Sequence, residues 1–366
     1  MILLHVAPID FARVEGLRLS IPSLVAAQNR LPGVEAGLLL STSSSEPAGL
    51  DFPVFAGKVT LSADRRLSLP PPFDRPELVV LHSTYIPAQV AFAARLRKAG
   101  IRYVICPRGG MTHRSQAYRA WKKRLANRLF FGRFVSRAAA LHCLTEAEAD
   151  ESRQWNRPIV VAGNGIEIPA EEQLPLESPT QPLRVVFLGR VAPVHKGLDL
   201  LLQACATVRD AMRQRDARLE IHGPDWRGSV RQLARMIDDS RLGELVRLCG
   251  PADGARKEAL FRTASVFVHT SRWEGHPMAV LEALARGVPC LLTPGTNMDA
   301  EVAEAGAGWS VEPSVSGIAD GLRAIFSLSA EELQTMRRNA RRLAIAQFDW
   351  ASVARHTTEA YRPYAA

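Results

Sequence analysis

Short apolar runs alternate with stretches of helical spacing along the whole chain. The runs lie at 1–8, 36–40, 77–81, 102–106, 139–144 and 158–161, and again at 183–189, 217–221, 245–249, 265–268 and 288–292. Runs of this length, each followed by a helical pattern, predict parallel sheets covered by helices. The two series are parted by residues 169–182, where Pro169, Pro175, Pro179 and Pro182 interrupt a segment without periodicity, as a linker does. The expected fold class is therefore α/β, with two Rossmann-like parallel-sheet domains at 1–168 and 183–346. From Ala330 the pattern reads as two further helices with no strand to follow.

A chain of 366 residues, 47% of them apolar, exceeds one ordinary core and agrees with two domains. No run approaches the roughly 18 consecutive apolar residues of a membrane span, and Met1-Ile2-Leu3-Leu4-His5-Val6 carries no basic leader. The expected location is the cytoplasm. Cys106, Cys143, Cys205, Cys249 and Cys290 are odd in number and never spaced C-x-x-C, so they read as reduced core residues and suggest neither a disulfide framework nor a zinc site. The net charge of +9 is confined to residues 1–170, which hold 22 Lys+Arg against 13 Asp+Glu; residues 171–366 hold 24 of each. Between Glu77 and Glu146 no acidic residue occurs, whereas Arg95, Arg97, Lys98, Arg102, Arg108, Arg114, Arg119, Lys122, Lys123, Arg124, Arg128, Arg133 and Arg137 all do. An anion-facing surface is expected there.

Parallel sheets of this kind bind ligands beyond the carboxyl ends of their strands. One such turn follows the run at 265–268 and reads Ser271-Arg272-Trp273-Glu274-Gly275-His276-Pro277-Met278, leading into the apolar helix that holds Glu282. Pro277 suits the first helical position and Gly287 the left-handed stop. At ~1.5 Å of rise per residue, Glu274 before the helix and Glu282 within it could face one ligand of nucleotide-sugar size, with the helix N-terminus offering a phosphate site. The alternative is structural: Glu274 at a helix start and Glu282 solvated. Burial of Glu282 in Ala279-Val280-Leu281-Glu282-Ala283-Leu284-Ala285 argues against it, because a buried carboxylate needs a partner. A second turn, Gly189-Arg190-Val191-Ala192-Pro193-Val194-His195-Lys196-Gly197, sets two cations around a helix start, where an anion would offset their unfavourable placement.

These residues resemble family 4 of the retaining glycosyltransferases, whose GT-B architecture sets two Rossmann-like domains across a cleft. Gly189, Arg190, Lys196 and Gly197 resemble the family's diphosphate grip, and Glu274 with Glu282 its E-x7-E signature. Leu248-Cys249-Gly250-Pro251 with 259–265 is similar to the stretch around the nucleotide base, and Asn164-Gly165-Ile166 to the close of the first domain. Pro107-Arg108-Gly109-Gly110-Met111 with Trp121-Lys122-Lys123-Arg124 is similar to a subgroup that builds bacterial surface polysaccharides, and the segment 347–366 to the family's last helix, which crosses back onto the first domain. The resemblance implies that Arg190 and Lys196 neutralise the leaving diphosphate, Glu282 bonds the ribose, and Glu274 bonds donor-sugar hydroxyls. It further implies that Gly275, His276, Pro277 and Met278 complete the sugar and phosphate contacts, with no metal and no cofactor; no D-x-D occurs. Two departures stand out. Family members often carry a Gly-Gly turn after the first strand; Val14-Glu15-Gly16 leaves only Gly16 for close backbone approach. Where the family often has a sugar-contacting histidine, this chain offers His82, Arg108 or His113.

Residues 118–137 mix helical apolar spacing with seven cations. They read either as a face that docks on an anionic membrane or a lipid-diphosphate acceptor, or as a solvated helix with a core-facing stripe. No recognised nucleic-acid module accompanies the charge. Thr145 and Glu148 read as a capping box. The expected function is retaining transfer of a sugar from a nucleoside-diphosphate-sugar to a glycan or lipid-linked acceptor, peripheral to the inner membrane face. The alternatives are a sugar-nucleotide epimerase and a non-catalytic nucleotide-sugar-binding partner. A dinucleotide dehydrogenase is disfavoured, since no G-x-G-x-x-G follows either first strand.

Overall fold

The computed structural model describes residues 1–9, 16–41, 49–117, 120–170 and 182–365. Val14 and Glu15, Tyr118 and Arg119 of the basic stretch, and 171–181 of the expected linker lie outside the described residues, as does the side chain of Arg114. The chain divides into two compact units, Met1–Gly165 with Trp350–Ala366, and Ile166–Asp349. Among the described residues no helix is long and apolar enough to cross a membrane.

Unit 1 holds β1 (Ile2–Ala7), β2 (Glu35–Leu40), β3 (Val54–Ala56), β4 (Leu78–His82), β5 (Tyr103–Cys106), β6 (Ala140–Cys143) and β7 (Ile159–Val161), all parallel in the order β3-β2-β1-β4-β5-β6-β7. The central strands β4, β5 and β6 are buried at every residue, which is why they read as unbroken apolar runs rather than as an alternation. Helix Gly16–Asn29 packs through Leu24 and Ala27 on Val353 and Ala354 of helix Trp350–Tyr361. Gly165 lies against Trp350 so closely that a Cβ would come within 2.3 Å of the ring, which accounts for glycine in Asn164-Gly165-Ile166.

Unit 2 holds β8 (Leu183–Leu188), β9 (Ala217–His222), β10 (Val246–Gly250), β11 (Val266–His269), β12 (Cys290–Leu292) and β13 (Gly308–Ser310), parallel in the order β10-β9-β8-β11-β12-β13. In each sheet the strand order reverses once, between β1 and β4 and between β8 and β11. The carboxyl ends of those strand pairs flank the crevice where this topology places ligands.

Several expectations change. β3 and β13 were not anticipated: each is a three-residue edge strand, too short for any period to show. Helix Met278–Ala285 starts one residue later than expected, with Pro277 as its N-cap; Gly287 does take the left-handed conformation, at φ 69°. Thr145 caps its helix by accepting from the Glu148 amide (3.1 Å), yet the reciprocal half of the box is absent. The buried Glu148 carboxylate accepts from the amides of Leu144 (2.7 Å) and Gly109 instead, tying the β6 helix start to the turn after β5. Four cysteines are buried, but Cys249 on edge strand β10 is half-exposed and so is no core residue.

The basic stretch splits its apolar side chains between two directions. Helix Ala120–Ala126 passes into a π-helical turn, Asn127–Phe131, and then into Gly132–Val135. A π turn adds a residue to the helical repeat and shifts the phase of everything after it. Phe131, Phe134 and Val135 thereby turn into the core, while Trp121, Leu125, Leu129 and Phe130 stay 65%, 52%, 57% and 53% exposed. The core-facing stripe is therefore only the second half of the segment.

Candidate functional site

At the switch point of unit 2, two loops meet. After β8 the chain makes one turn of helix, Pro193–Lys196, and then a left-handed residue, Gly197 (φ 63°), before helix Leu198–Thr207. Gly197 is required twice over, because a Cβ there would fall 1.9 Å from the carbonyl oxygen of Thr270 in the loop after β11. Thr270 Oγ1 in turn donates to the carbonyls of Lys196 and Gly197, both at 3.2 Å. Arg272 clamps the same loops together through a two-pronged bond to Asp199 (2.7 and 2.8 Å).

This lock brings Lys196 Nζ to 2.5 Å from Glu274 Oε1, with the two side chains only 10% and 12% exposed. The same oxygen accepts from Ser271 Oγ (2.7 Å) and meets His269 Nε2 (3.1 Å), while Oε2 takes part in none of the described hydrogen bonds. Burial works to raise the Glu274 pKa, but Lys196 and then His269 outweigh it and hold the carboxyl well below the usual range. His269, fully buried between Phe187 and Phe267, has its pKa lowered by that burial. Burial also takes His195 down to about 4, with Glu274 opposing and Lys196 and Arg190 assisting; its Nε2 donates to the Trp273 carbonyl at 2.9 Å.

Arg190 makes no ion pair among the described residues; its guanidinium stacks 4.7 Å from the ring of Trp226. Glu282 is buried, as expected, but its partner is internal: Lys257 Nζ from helix Gly254–Thr263 lies at 2.8 Å. That pairing removes the argument for function from burial alone. Asn297 donates to the carbonyls of Glu274 (2.8 Å) and Gly275 (3.2 Å), fixing the turn ahead of helix Met278–Ala285. The amides of Gly275 and Met278 take part in none of the described hydrogen bonds, and the His276 ring packs on Phe348. Gly189 follows β8 with its amide bonded to the His222 carbonyl, and Gly250 ends β10 at φ 72°. One group of His, Cys and carboxylate ligands close enough to hold an ion occurs among the described residues: Glu220, His222 and Cys249, within 4.8 Å. Its Glu220 is already paired with Arg184 at 2.7 Å.

The residues expected in unit 1 do not share one fate. Gly16 is the exposed first residue of helix Gly16–Asn29. His82 ends β4 fully buried, and its Nδ1 accepts from Arg108 Nε at 3.3 Å; it reaches no surface. His113 is exposed at the start of helix His113–Ala117. Arg108, half-buried after β5, adopts a left-handed φ of 52°, as do Ser83 (73°) and Tyr85 (59°) in the turn after β4. Non-glycine residues rarely take this conformation, and three such positions in two neighbouring turns concentrate strain at the carboxyl ends of β4 and β5.

Two family models match. "Glycosyl transferase 4-like domain" covers residues 21–165 and "Glycosyl transferases group 1" covers 170–343. A putative colanic acid biosynthesis glycosyltransferase of Escherichia coli is 27% identical over 190 residues, 50% of this chain and 46% of that protein. A phosphatidyl-myo-inositol mannosyltransferase of Mycobacterium tuberculosis is 29% identical over 196 residues, 51% of this chain and 49% of that protein. The chain thus spans about half the length of the curated relatives it matches. Among solved structures, HepE of Anabaena in complex with UDP and glucose superposes with a TM-score of 0.71 at 18% identity, covering 99% of this chain and 100% of that one. Sucrose-phosphate synthase of Thermosynechococcus elongatus gives 0.74 at 15% identity, over 99% and 98%. At these identities the superpositions establish a shared two-sheet fold. Fold, matched domains and relatives agree: the chain belongs to the group 1 glycosyltransferases, with a family 4-like N-terminal domain.

Proposed function

We propose that the chain transfers a sugar, with retention of configuration, from a nucleoside-diphosphate-sugar to an acceptor in surface-polysaccharide synthesis. One observation carries this reading: the buried Lys196–Glu274 pair at the β8/β11 switch point, beside Arg190, a guanidinium that pairs with no carboxylate among the described residues. Lys196 and Arg190 would hold the diphosphate as the bond from the sugar C1 to the phosphate oxygen breaks, with the free amides of Gly275 and Met278 adding donors. Glu274, anchored through Oε1, would present Oε2 to the donor-sugar hydroxyls, and Glu282 would take the ribose. The acceptor hydroxyl would attack the same face of the sugar and pass its proton to the leaving phosphate. With two side-chain cations in place, no metal is required, and chelator is expected to leave turnover unchanged. That the relatives named above are transferases supports transfer over epimerisation, and the UDP held by HepE makes UDP the first nucleotide to try.

Calorimetric titration with UDP, GDP, ADP, CMP and dTDP tests the site. One diphosphate should bind, and Glu282→Gln should weaken it about tenfold, as loss of a charged hydrogen bond does. Binding of none of them by the unaltered protein would overturn the reading.

The acceptor side is proposed to lie on an anionic lipid surface. Trp121, Leu125 and Leu129 recur every four residues on the exposed side of their helix, with Lys122, Arg124, Arg128 and Arg133 exposed around them. Apolar insertion rimmed by cations is the pattern of a helix lying in a membrane interface. Lys123 is not part of it, since its Nζ is bound to the carbonyl and hydroxyl of Ser115 (2.5 and 2.9 Å). Changing Lys122, Arg124 and Arg128 together to Gln should weaken co-sedimentation with phosphatidylglycerol vesicles about 100-fold, at ~1 kcal/mol per charge. Equal binding to phosphatidylcholine vesicles by the unaltered protein would rule out charge as the cause.

A further inference from the structure

We infer that Arg108 binds an oxyanion of a substrate, a carboxylate or a phosphate, at the switch point of unit 1, and that His82 and His5 are positioning residues for its guanidinium. The inference rests on the transfer reading only in assigning the anion to a substrate.

Among the described residues, every hydrogen-bond partner of Arg108 is neutral. Its Nε donates to His82 Nδ1 (3.3 Å), and one terminal nitrogen donates to Ser20 Oγ (3.1 Å) and Asn164 Oδ1 (3.2 Å). No described carboxylate pairs with it; the one that bears on it, Glu148, is spent on the amides of Leu144 and Gly109. A guanidinium can only donate, and this sets the direction of everything behind it. His82 Nδ1 must accept, so His82 Nε2 carries its proton and donates to His5 Nδ1 at 2.9 Å. His5 Nε2 then donates to Gln28 Oε1 at 2.8 Å, and Gln28 Nε2 donates to Thr358 Oγ1 at 3.3 Å. The chain of bonds runs from β5 across β4 and β1 to two helices, and His5, His82 and Gln28 are all 0% exposed. Burial keeps both imidazoles uncharged, taking His5 down to about 3 and His82 well below its ordinary value.

A structural arginine in so enclosed a place ordinarily has a carboxylate, because a half-buried cation without one is costly. Here the fold supplies a rigid row of neutral acceptors. They fix the orientation of the guanidinium and, among the described residues, leave its charge without a carboxylate, at the strand ends where this topology places ligands. Arginine's planar fork suits a carboxylate or a phosphate equally well. The anion therefore has two possible sources: a uronic acid in the donor, or a phosphate in the acceptor.

Calorimetry on the whole protein separates them. UDP-glucuronate is compared with UDP-glucose, on whichever base the nucleotide panel selects, and geranyl phosphate with geraniol. The anionic member of one pair should bind about tenfold tighter than its neutral counterpart, and that pair names the source. Arg108→Gln should erase the preference while leaving UDP affinity unchanged. His82→Leu should reduce it, and His82→Gln, which can accept through Oε1 and donate through Nε2, should restore it at an unchanged melting temperature. No preference in either pair, or a preference that survives Arg108→Gln, would overturn the inference. Failure of every nucleotide to bind would instead sink the donor-site reading, and the geranyl pair would still report on Arg108.

Discussion

Lys196→Ala is expected to lower nucleoside-diphosphate affinity about 100-fold and to destabilise unit 2 by about 2–4 kcal/mol. Removing one partner of a buried ion pair typically costs about 3–5 kcal/mol, because the other charge is stranded. The lower range applies here since Ser271 and His269 still bond Glu274 Oε1, and the pair retains 10% and 12% exposure. The sign of the pH dependence follows from the same contacts. The Glu274 pKa is depressed in the fold, so its stabilisation is complete above the unfolded carboxylate range and is lost only as pH falls through the folded value. The unaltered protein should thus gain or lose nothing from this pair between pH 5 and 8. In the variant the lowering effect of Lys196 on His269 is gone, and a protonated His269 can replace the missing charge. Urea denaturation at pH 7.5 and 5.5 should therefore show the variant's deficit shrinking at the lower pH. A deficit that grows on acidification would mean that Glu274 is not held as a carboxylate.

The second large effect is expected from Gly197→Ala, at about 2–5 kcal/mol. Alanine pays ~1–2 kcal/mol for the left-handed conformation and must also displace the Thr270 carbonyl, an overpacking cost of ~1–3 kcal/mol. Gly250→Ala supplies the comparison: its φ of 72° carries the same conformational cost, but no atom lies within 4 Å of the added Cβ. It should lose only the first amount. At roughly 2–4 °C per kcal/mol for units of this size, the two melting temperatures should differ by several degrees. Equal losses would show that the Thr270 contact yields freely and that the two loops are not locked.

Much of unit 2's site was legible because its parts lie at strand ends in βα turns. Gly189, Lys196, Gly197 and the Glu274 turn each announce themselves by a glycine or charge at a place where an apolar run stops. What brings them into contact was not legible. Lys196 and Glu274 are 78 residues apart, and they meet only because β8 and β11 are neighbours across the switch point. The same reason hid Lys257 behind Glu282, and His5 behind His82, which are separated by 77 residues. His5 reads in the sequence as one polar residue in an apolar strand, and only the crossover order turns it into half of a buried pair. Trp226 carried no local signal, since nothing in Pro224-Asp225-Trp226-Arg227 marks the ring as a platform for Arg190. The π turn at Asn127–Phe131 is likewise invisible to any fixed period, and it decides which half of the basic segment faces water.

The composition of unit 1 from two separated stretches sets a timetable for synthesis. Residues 166–349 form unit 2 without a break, so that unit can fold as it emerges from the ribosome. Unit 1, begun earlier, lacks helix Trp350–Tyr361, whose Tyr361 hydroxyl bonds His142 at 2.6 Å and whose Thr358 receives Gln28. At about 5–20 residues per second, the wait between the first 165 residues and that helix is roughly 10–40 s. Throughout it Leu24 and Ala27 have no Val353 or Ala354 to cover them. Unit 1 is thus begun before unit 2 and completed after it.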